Sequence, residues 1–381
     1  MKRESTIKKR WSTDQLITGV ELGNWMHMLK ENAWNVTPEY LHRAAWVTAW
    51  SLPTTLVGKY EDAKYSRQLA SMEIDPEPIF VLGHWRSGTT HTHNLLGRVP
   101  GHTYSTVFQC VFPTSFLSMN GVVPPLTERF MDATRSYDNV KHGWNEEAED
   151  EIALTKLTGL SPYMSFMFPD SGQQYWKYVD FLEATPDERD RWKEAFTYFI
   201  KKIMLQTGGK RVIIKSCTHT ARVRMLLDMF PNAKFVFIHR NPFEVFSSTL
   251  HMRSHTDWEN FFHQPWEGWD AEREQQTILL GQRIFERFVE DRHLIPEKNY
   301  FEIAYSDLCG NEMQVMENLY SHLDLPNWDK AKPELESYVA SLSGYQRNQL
   351  TIDDRVQDLV RKHWGVVFDT FGYDREYPPS K

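Results

Sequence analysis

Cysteine is scarce in this chain. Its three thiols, Cys110, Cys217 and Cys309, are scattered through 381 residues with no C-x-x-C pair. That spacing argues against a disulfide framework or a zinc knuckle and favours a reducing compartment, so a cytoplasmic location is expected. No apolar run reaches the roughly eighteen residues of a membrane-spanning helix. Excess positive charge is missing as well: the formal net charge is −8. A nucleic-acid partner is therefore not expected, and any anion site has to be a local basic pocket in an acidic protein. Residues 1–10 are basic, but no apolar core follows them, so they do not read as a secretory signal. Repeats and low-complexity tracts are absent. The pairs His91/His93 and His251/His255 have no carboxylate or Cys partner at ligand spacing, so no metal is expected.

Apolar residues make up 41% of the chain and aromatics 14%, ample for a large core. Residues 1–74 read as a helical extension: Trp25, Met28 and Leu29 recur at helical spacing, and a second stretch starts at Pro38. From Leu41 to Val57, the residues Trp46, Trp50, Leu52 and Leu56 suit either an interfacial helix or, the favoured reading, a helix packing on its own domain; a peripheral membrane contact stays open. Short, near-continuous apolar runs begin at Ile79 and return at Arg211–Lys215, Lys234–His239 and Tyr300–Tyr305. Helical patterns follow the last three, over 219–229, 242–252 and 311–323. This is the pattern of an α/β domain, a parallel sheet flanked by helices, over 75–350. Within it, 100–210 reads as a helical insertion over the strand ends that would hold acceptor specificity. Beyond a helix starting at Trp328, the tail 351–381 reads as irregular polar sequence.

Four constellations carry chemistry. After the run Ile79–Leu82 comes Gly83-His84-Trp85-Arg86-Ser87-Gly88-Thr89-Thr90, a glycine-bracketed turn opening onto a helix. Backbone N–H groups and a helix N-terminus then point at an anion. The glycine spacing is that of a P-loop, yet Thr89 stands where a nucleotide-hydrolysing loop needs Lys, and the cation is Arg86. The loop suits a 5′-phosphate but lacks the group that reaches a triphosphate's β/γ-phosphates. Next, Arg240-Asn241-Pro242 ends an apolar run and leads to Ser248, placing a bidentate guanidinium at a strand's C-terminal end. Lys215-Ser216-Cys217-Thr218-His219 ends another strand, with Lys215 as a point cation and His219 as either a general base or a packed core histidine. The acidic run Glu146–Glu151 reads as a solvated helix start, with a catalytic carboxylate as the sharper alternative.

Together these residues resemble the sulfotransferases that use 3′-phosphoadenosine-5′-phosphosulfate, in the bacterial-type branch. The family's 5′-phosphosulfate loop has its counterpart in Trp85-Arg86-Ser87-Gly88-Thr89-Thr90, and its 3′-phosphate element in Arg240-Asn241-Pro242 through Ser248. Its Lys/His element is matched by Lys215 to His219 followed by Phe230-Pro231, with Cys217 where the family has Pro. Glu149–Leu154 and Tyr305–Leu308 extend the likeness, which covers roughly 75–350. The resemblance implies a sulfuryl transfer to a hydroxyl or amine of a small-molecule, carbohydrate or lipid acceptor. It implies that Arg86, Ser87, Gly88, Thr89 and Thr90 cradle the 5′-phosphate, that Lys215 neutralises the transferring group and that His219 takes the acceptor's proton, with Glu149 or Glu151 as substitutes. Arg240 and Ser248 would select the 3′-phosphate, Tyr305 would border the adenine, and Arg347 is the candidate for the family's basic tail. His91 stands where cytosolic members place an adenine-stacking Trp. A P-loop kinase or NTPase, and a non-catalytic nucleotide-binding protein, are the alternatives. The aromatic stretch Trp258, Phe261, Phe262, Trp266 and Trp269 reads as packing or as an acceptor wall, and the oligomeric state is left open.

Overall fold

A computed structural model describes residues 15–131, 134, 140–342 and 352–377. The chain divides into two compact units. One takes the chain up to Ile74, with Ser105–Gly208 and Met252–Asp270; the other takes Asp75–Tyr104, Gly209–His251 and the chain from Ala271 onward.

The second unit holds the sheet. Its strands are β1 (Ile79–Leu82), β2 (His102–Tyr104), β3 (Arg211–Lys215), β4 (Lys234–His239) and β5 (Tyr300–Ala304), in the order β2-β3-β1-β4-β5. All four pairings are parallel; Val81 lies opposite Lys215 on one side and Val236 on the other. The parallel α/β sheet expected from the sequence is thus present. Its cause is visible residue by residue. Ile79, Val81, Ile213, Val236 and Ile238 pack into one core with Leu95, Leu96 and Leu319. Phe80 and Phe237 point the other way, onto Phe230 and Phe288. A strand buried on both faces has no polar alternation to show. Because β1 is central and its chain neighbours in space are β3 and β4, its C-terminal end opens at a switch point of the sheet.

The first unit is helical, with Leu22–Glu31, Leu41–Ser71 and Pro186–Thr207 among its helices. Its aromatic stretch packs: Phe261 and Trp269 are buried against Tyr40, while Trp266 is exposed.

Several expectations change. The edge strand β2 went unforeseen because three residues, His-Thr-Tyr, carry no apolar run. The pattern read as a helix over 219–229 opens with a 3-10 turn, Cys217–Ala221, before the α-helix Val223–Met229. The acidic run is not solvated: Glu147, Asp150 and Glu151 are buried, Glu151 accepts from Ser161 Oγ at 2.6 Å, and Glu149 accepts from the Tyr163 hydroxyl. The tail is not irregular, since Asp354–His363 and Gly365–Phe371 are helices. Trp364, Val360, Val367 and Phe368 from it form a core with Phe243, Phe246, Ile278 and Phe285. Gly281 makes room for this, because a Cβ there would lie 2.3 Å from Trp364 Cζ2. Trp364 also donates its indole N–H to the Ile278 carbonyl at 2.9 Å. Trp364→Ala is therefore expected to cost about 3–5 kcal/mol, measurable as a lowered urea midpoint with an unchanged slope.

Candidate active site

The loop between β1 and the helix Thr89–Gly97 is held by its own backbone and by the floor beneath it. Gly83 sits at φ +147° and Gly88 at φ +109°, conformations that side chains rarely adopt. At Gly88 a Cβ would also come within 2.5 Å of the Tyr305 ring. Arg86 itself adopts φ +68°, an uncommon backbone for a residue with a side chain and a mark of a functional turn. The turn closes through Ser87, whose N–H and Oγ both donate to the His84 carbonyl, at 3.2 and 2.7 Å. Underneath, the His84 ring stacks on Phe285 at 5.2 Å and tilts against Trp364 at 5.1 Å. Burial pushes the His84 imidazole down to about 4, so it stays neutral and leaves Arg86 as the loop's cation.

Two other strand ends converge on this turn. From β4, Ser248 Oγ accepts from Arg86 Nε at 3.0 Å, and Arg240 Nη1 lies 3.5 Å from the Arg86 carbonyl oxygen. The Arg240 guanidinium lies over the Tyr305 ring, 4.7 Å from its centre, and pairs with Glu244 one helical turn on. From β3, Lys215 is 1% exposed and its Nζ lies 3.5 Å from Thr90 Oγ1. Thr89 Oγ1 lies 3.9 Å from Cys217 Sγ. A cation so far from water is tolerated only beside polar or anionic groups. His219 is 0% exposed, edge-on to Phe80 at 6.0 Å, with Nδ1 3.5 Å from an Arg222 guanidinium nitrogen.

Thus Arg86, Gly88, Arg240, Ser248 and Tyr305 form one cluster, and Thr89, Thr90, Lys215 and Cys217 another beside the same loop. Arg347 lies outside the described residues. His91 pairs with Glu312 at 3.3 Å. Among the described residues, no cluster of His, Cys, Asp or Glu is arranged to hold a metal ion. Sequence reasoning missed Thr220, whose Oγ1 accepts the Gly83 N–H at 2.8 Å and anchors the loop's first residue. It also missed His84 and Trp364 as the loop's floor. Thr220 has no sequence signal beyond its place one residue after His219. The floor had one in the spacing of Val360, Trp364, Val367 and Phe368, which is helical.

A model of the sulfotransferase family matches residues 78–330. Over 99% of this chain and 96% of theirs, the omega-hydroxy-beta-dihydromenaquinone-9 sulfotransferases Stf3 of Mycobacterium bovis and Mycobacterium tuberculosis are 31% identical to it. Among solved structures, sulfotransferase STF9 from Mycobacterium avium aligns with a TM-score of 0.71 at 17% identity, over 98% of this chain and 97% of that one. Sulfotransferase STF1 from Mycobacterium tuberculosis gives a TM-score of 0.62 at 19% identity, over 91% of each. These two show the fold. With the family model covering 78–330 and relatives alike from end to end, the chain belongs to the sulfotransferase family and is an enzyme of it.

Proposed function

We propose that this enzyme takes a sulfuryl group from 3′-phosphoadenosine-5′-phosphosulfate and transfers it to a hydroxyl of an apolar lipid acceptor. One observation carries the donor reading: the cations of two anion-binding motifs meet, Arg86 Nε bonding Ser248 of the second motif while Arg240 reaches the backbone of the first. The residues fit such a donor. The turn from Gly83 to Gly88 leads into the start of the helix Thr89–Gly97, where backbone N–H groups and the helix dipole favour a 5′-phosphate. Arg240 and Ser248 give a second, bidentate-capable clamp for the 3′-phosphate, and Tyr305, stacked beneath Arg240, offers an aromatic face to adenine.

The donor supplies an activated sulfo group whose leaving oxygen belongs to a phosphate. Arg86 and the loop amides hold the negative charge that collects on that phosphate; as a guanidinium, Arg86 stabilises but does not donate a proton. Lys215 and Thr90 face the transferring group, Lys215 neutralising its equatorial oxygens. His219 takes the acceptor proton. The acceptor class follows from the relatives, whose name gives an omega-hydroxylated dihydromenaquinone as what they sulfate. We assign its selection to the segment 100–210. A kinase or NTPase reading is not favoured, because Thr89 occupies the position of the P-loop Lys.

The test is a melting-temperature comparison. 3′-Phosphoadenosine-5′-phosphate is expected to stabilise the protein well beyond AMP or ATP at equal concentration, through preferential binding to the folded state. Arg240→Ala is expected to abolish that preference while leaving the AMP shift in place. An equal response to all three nucleotides in the wild type would overturn the donor assignment.

A further inference from the structure

The helix Leu41–Ser71 has a face that its own unit leaves uncovered. Arg43, Val47, Ser51, Thr54 and Gly58 are buried along one side. On the opposite side, at spacings of three and four, lie Leu41, Ala45, Ala49, Leu52, Leu56 and Tyr60, all exposed. Leu52 is 51% and Leu56 71% exposed. A surface helix in a monomeric protein puts charge on that side. Here no Asp, Glu, Lys or Arg occurs from Ala44 to Gly58. The helix does pack on its own unit, as the sequence suggested, but the apolar residues that suggested it include the ones left outside.

We propose that this face docks on a membrane surface bearing anionic phospholipid. Two observations select a bilayer over another protein. The first is the kind of side chain around the face. Trp46 is exposed beside it, edge-on to Trp50 at 6.0 Å. Trp34 and Trp266 are exposed as well, Trp266 stacking edge-on against Trp269 of the Tyr40 cluster where this helix begins. Indoles flanking an apolar helix face suit the headgroup boundary, where one part of the ring is dry and its N–H is wet. The second is charge. Residues 1–10 carry Lys2, Arg3, Lys8, Lys9 and Arg10 against the single acid Glu4. The described chain begins beside the start of the same helix: the Leu16 N–H donates to Asn260 Oδ1 at 2.7 Å, and Arg43 donates to the Trp258 and Phe261 carbonyls at 2.9 and 2.8 Å. A basic segment that ends five positions before the described chain starts, with an apolar, Trp-rimmed helix, supplies the two parts by which a peripheral protein holds an anionic leaflet, in a chain whose net charge of −8 would otherwise repel it. This inference does not depend on the donor or acceptor assignment.

Co-sedimentation of the full chain with phosphatidylcholine vesicles, with and without phosphatidylglycerol, tests it. The wild type is expected to pellet with the phosphatidylglycerol vesicles and to come off as salt is raised. Leu52→Glu with Leu56→Glu is expected to lower partitioning by about tenfold or more, with an unchanged melting temperature because both positions are exposed. The milder pair Leu52→Ser and Leu56→Ser should lower it in the same direction. Lys8→Gln, Lys9→Gln and Arg10→Gln together should remove the dependence on phosphatidylglycerol. Absence of pelleting by the wild type, or equal pelleting by the glutamate pair, overturns the proposal. So does a wild-type dimer in light scattering that the glutamate pair splits, which would make a second copy of the chain the occupant.

Discussion

Lys215→Ala is expected to lower the turnover number by about 10²–10³-fold, the usual effect of deleting one preorganised donor to developing charge. The melting-temperature shift given by 3′-phosphoadenosine-5′-phosphate should survive, because that nucleotide lacks the sulfo group that Lys215 is proposed to neutralise. The expectation rests on position. Lys215 ends β3 one strand from the loop, its Nζ lies 3.5 Å from Thr90 Oγ1, and it is almost wholly out of water. In such surroundings a fixed cation acts on charge more strongly than in solvent and needs no reorganisation when the charge appears. Single-turnover rates with saturating donor measure the effect directly. A variant with wild-type turnover removes Lys215 from the mechanism. Loss of nucleotide binding instead would make it a structural support of the loop.

His219→Ala is expected to cost about 10²–10⁴-fold in turnover, the range of a positioned general base, with nucleotide binding retained. This prediction separates two roles that the geometry brings close together. The ring is enclosed, edge-on to Phe80 and beside the Arg222 guanidinium, as a packing histidine would be. It also sits four residues beyond Lys215, on the 3-10 turn that follows β3. Folding and nucleotide affinity alone cannot tell these roles apart, so the diagnostic is turnover in a variant whose melting temperature with nucleotide is close to normal. Should turnover persist, the base moves to the acidic run, where Glu149 accepts from Tyr163 and Glu151 from Ser161.

The sheet was legible because parallel strands buried on both faces leave a plain mark: β3 and β4 run over the same residues that the apolar pattern delimits, Arg211–Lys215 and Lys234–His239. The turn between β1 and the helix Thr89–Gly97 was legible because glycines and a helix start in one short stretch mark a tight strand-to-helix turn. That Arg86 and Ser248, 162 residues apart, would bond each other followed from topology, since the strands before them are neighbours. Other features had no such mark. β2 is too short to establish a period, and the burial of Glu147, Asp150 and Glu151 depends on partners such as Ser161 and Tyr163 that charge patterning does not reveal. The tail was misread because half of its helix Asp354–His363 is charged, and the apolar spacing that marks the buried side, Val360, Trp364, Val367 and Phe368, runs on past the end of that helix.

The packing of Trp364 beneath His84 has a consequence for how this enzyme comes to life. Arg86, Lys215 and Arg240 are already present in a chain synthesised as far as residue 305, yet the indole that fills the hollow over Gly281 and steadies the turn arrives almost sixty residues later. A nascent or clipped polypeptide ending before that indole would display those three cations on an unsupported bend. The bend is therefore steadied only once residue 364 has been made, and a cut just before that indole would loosen it without removing any of the three cations.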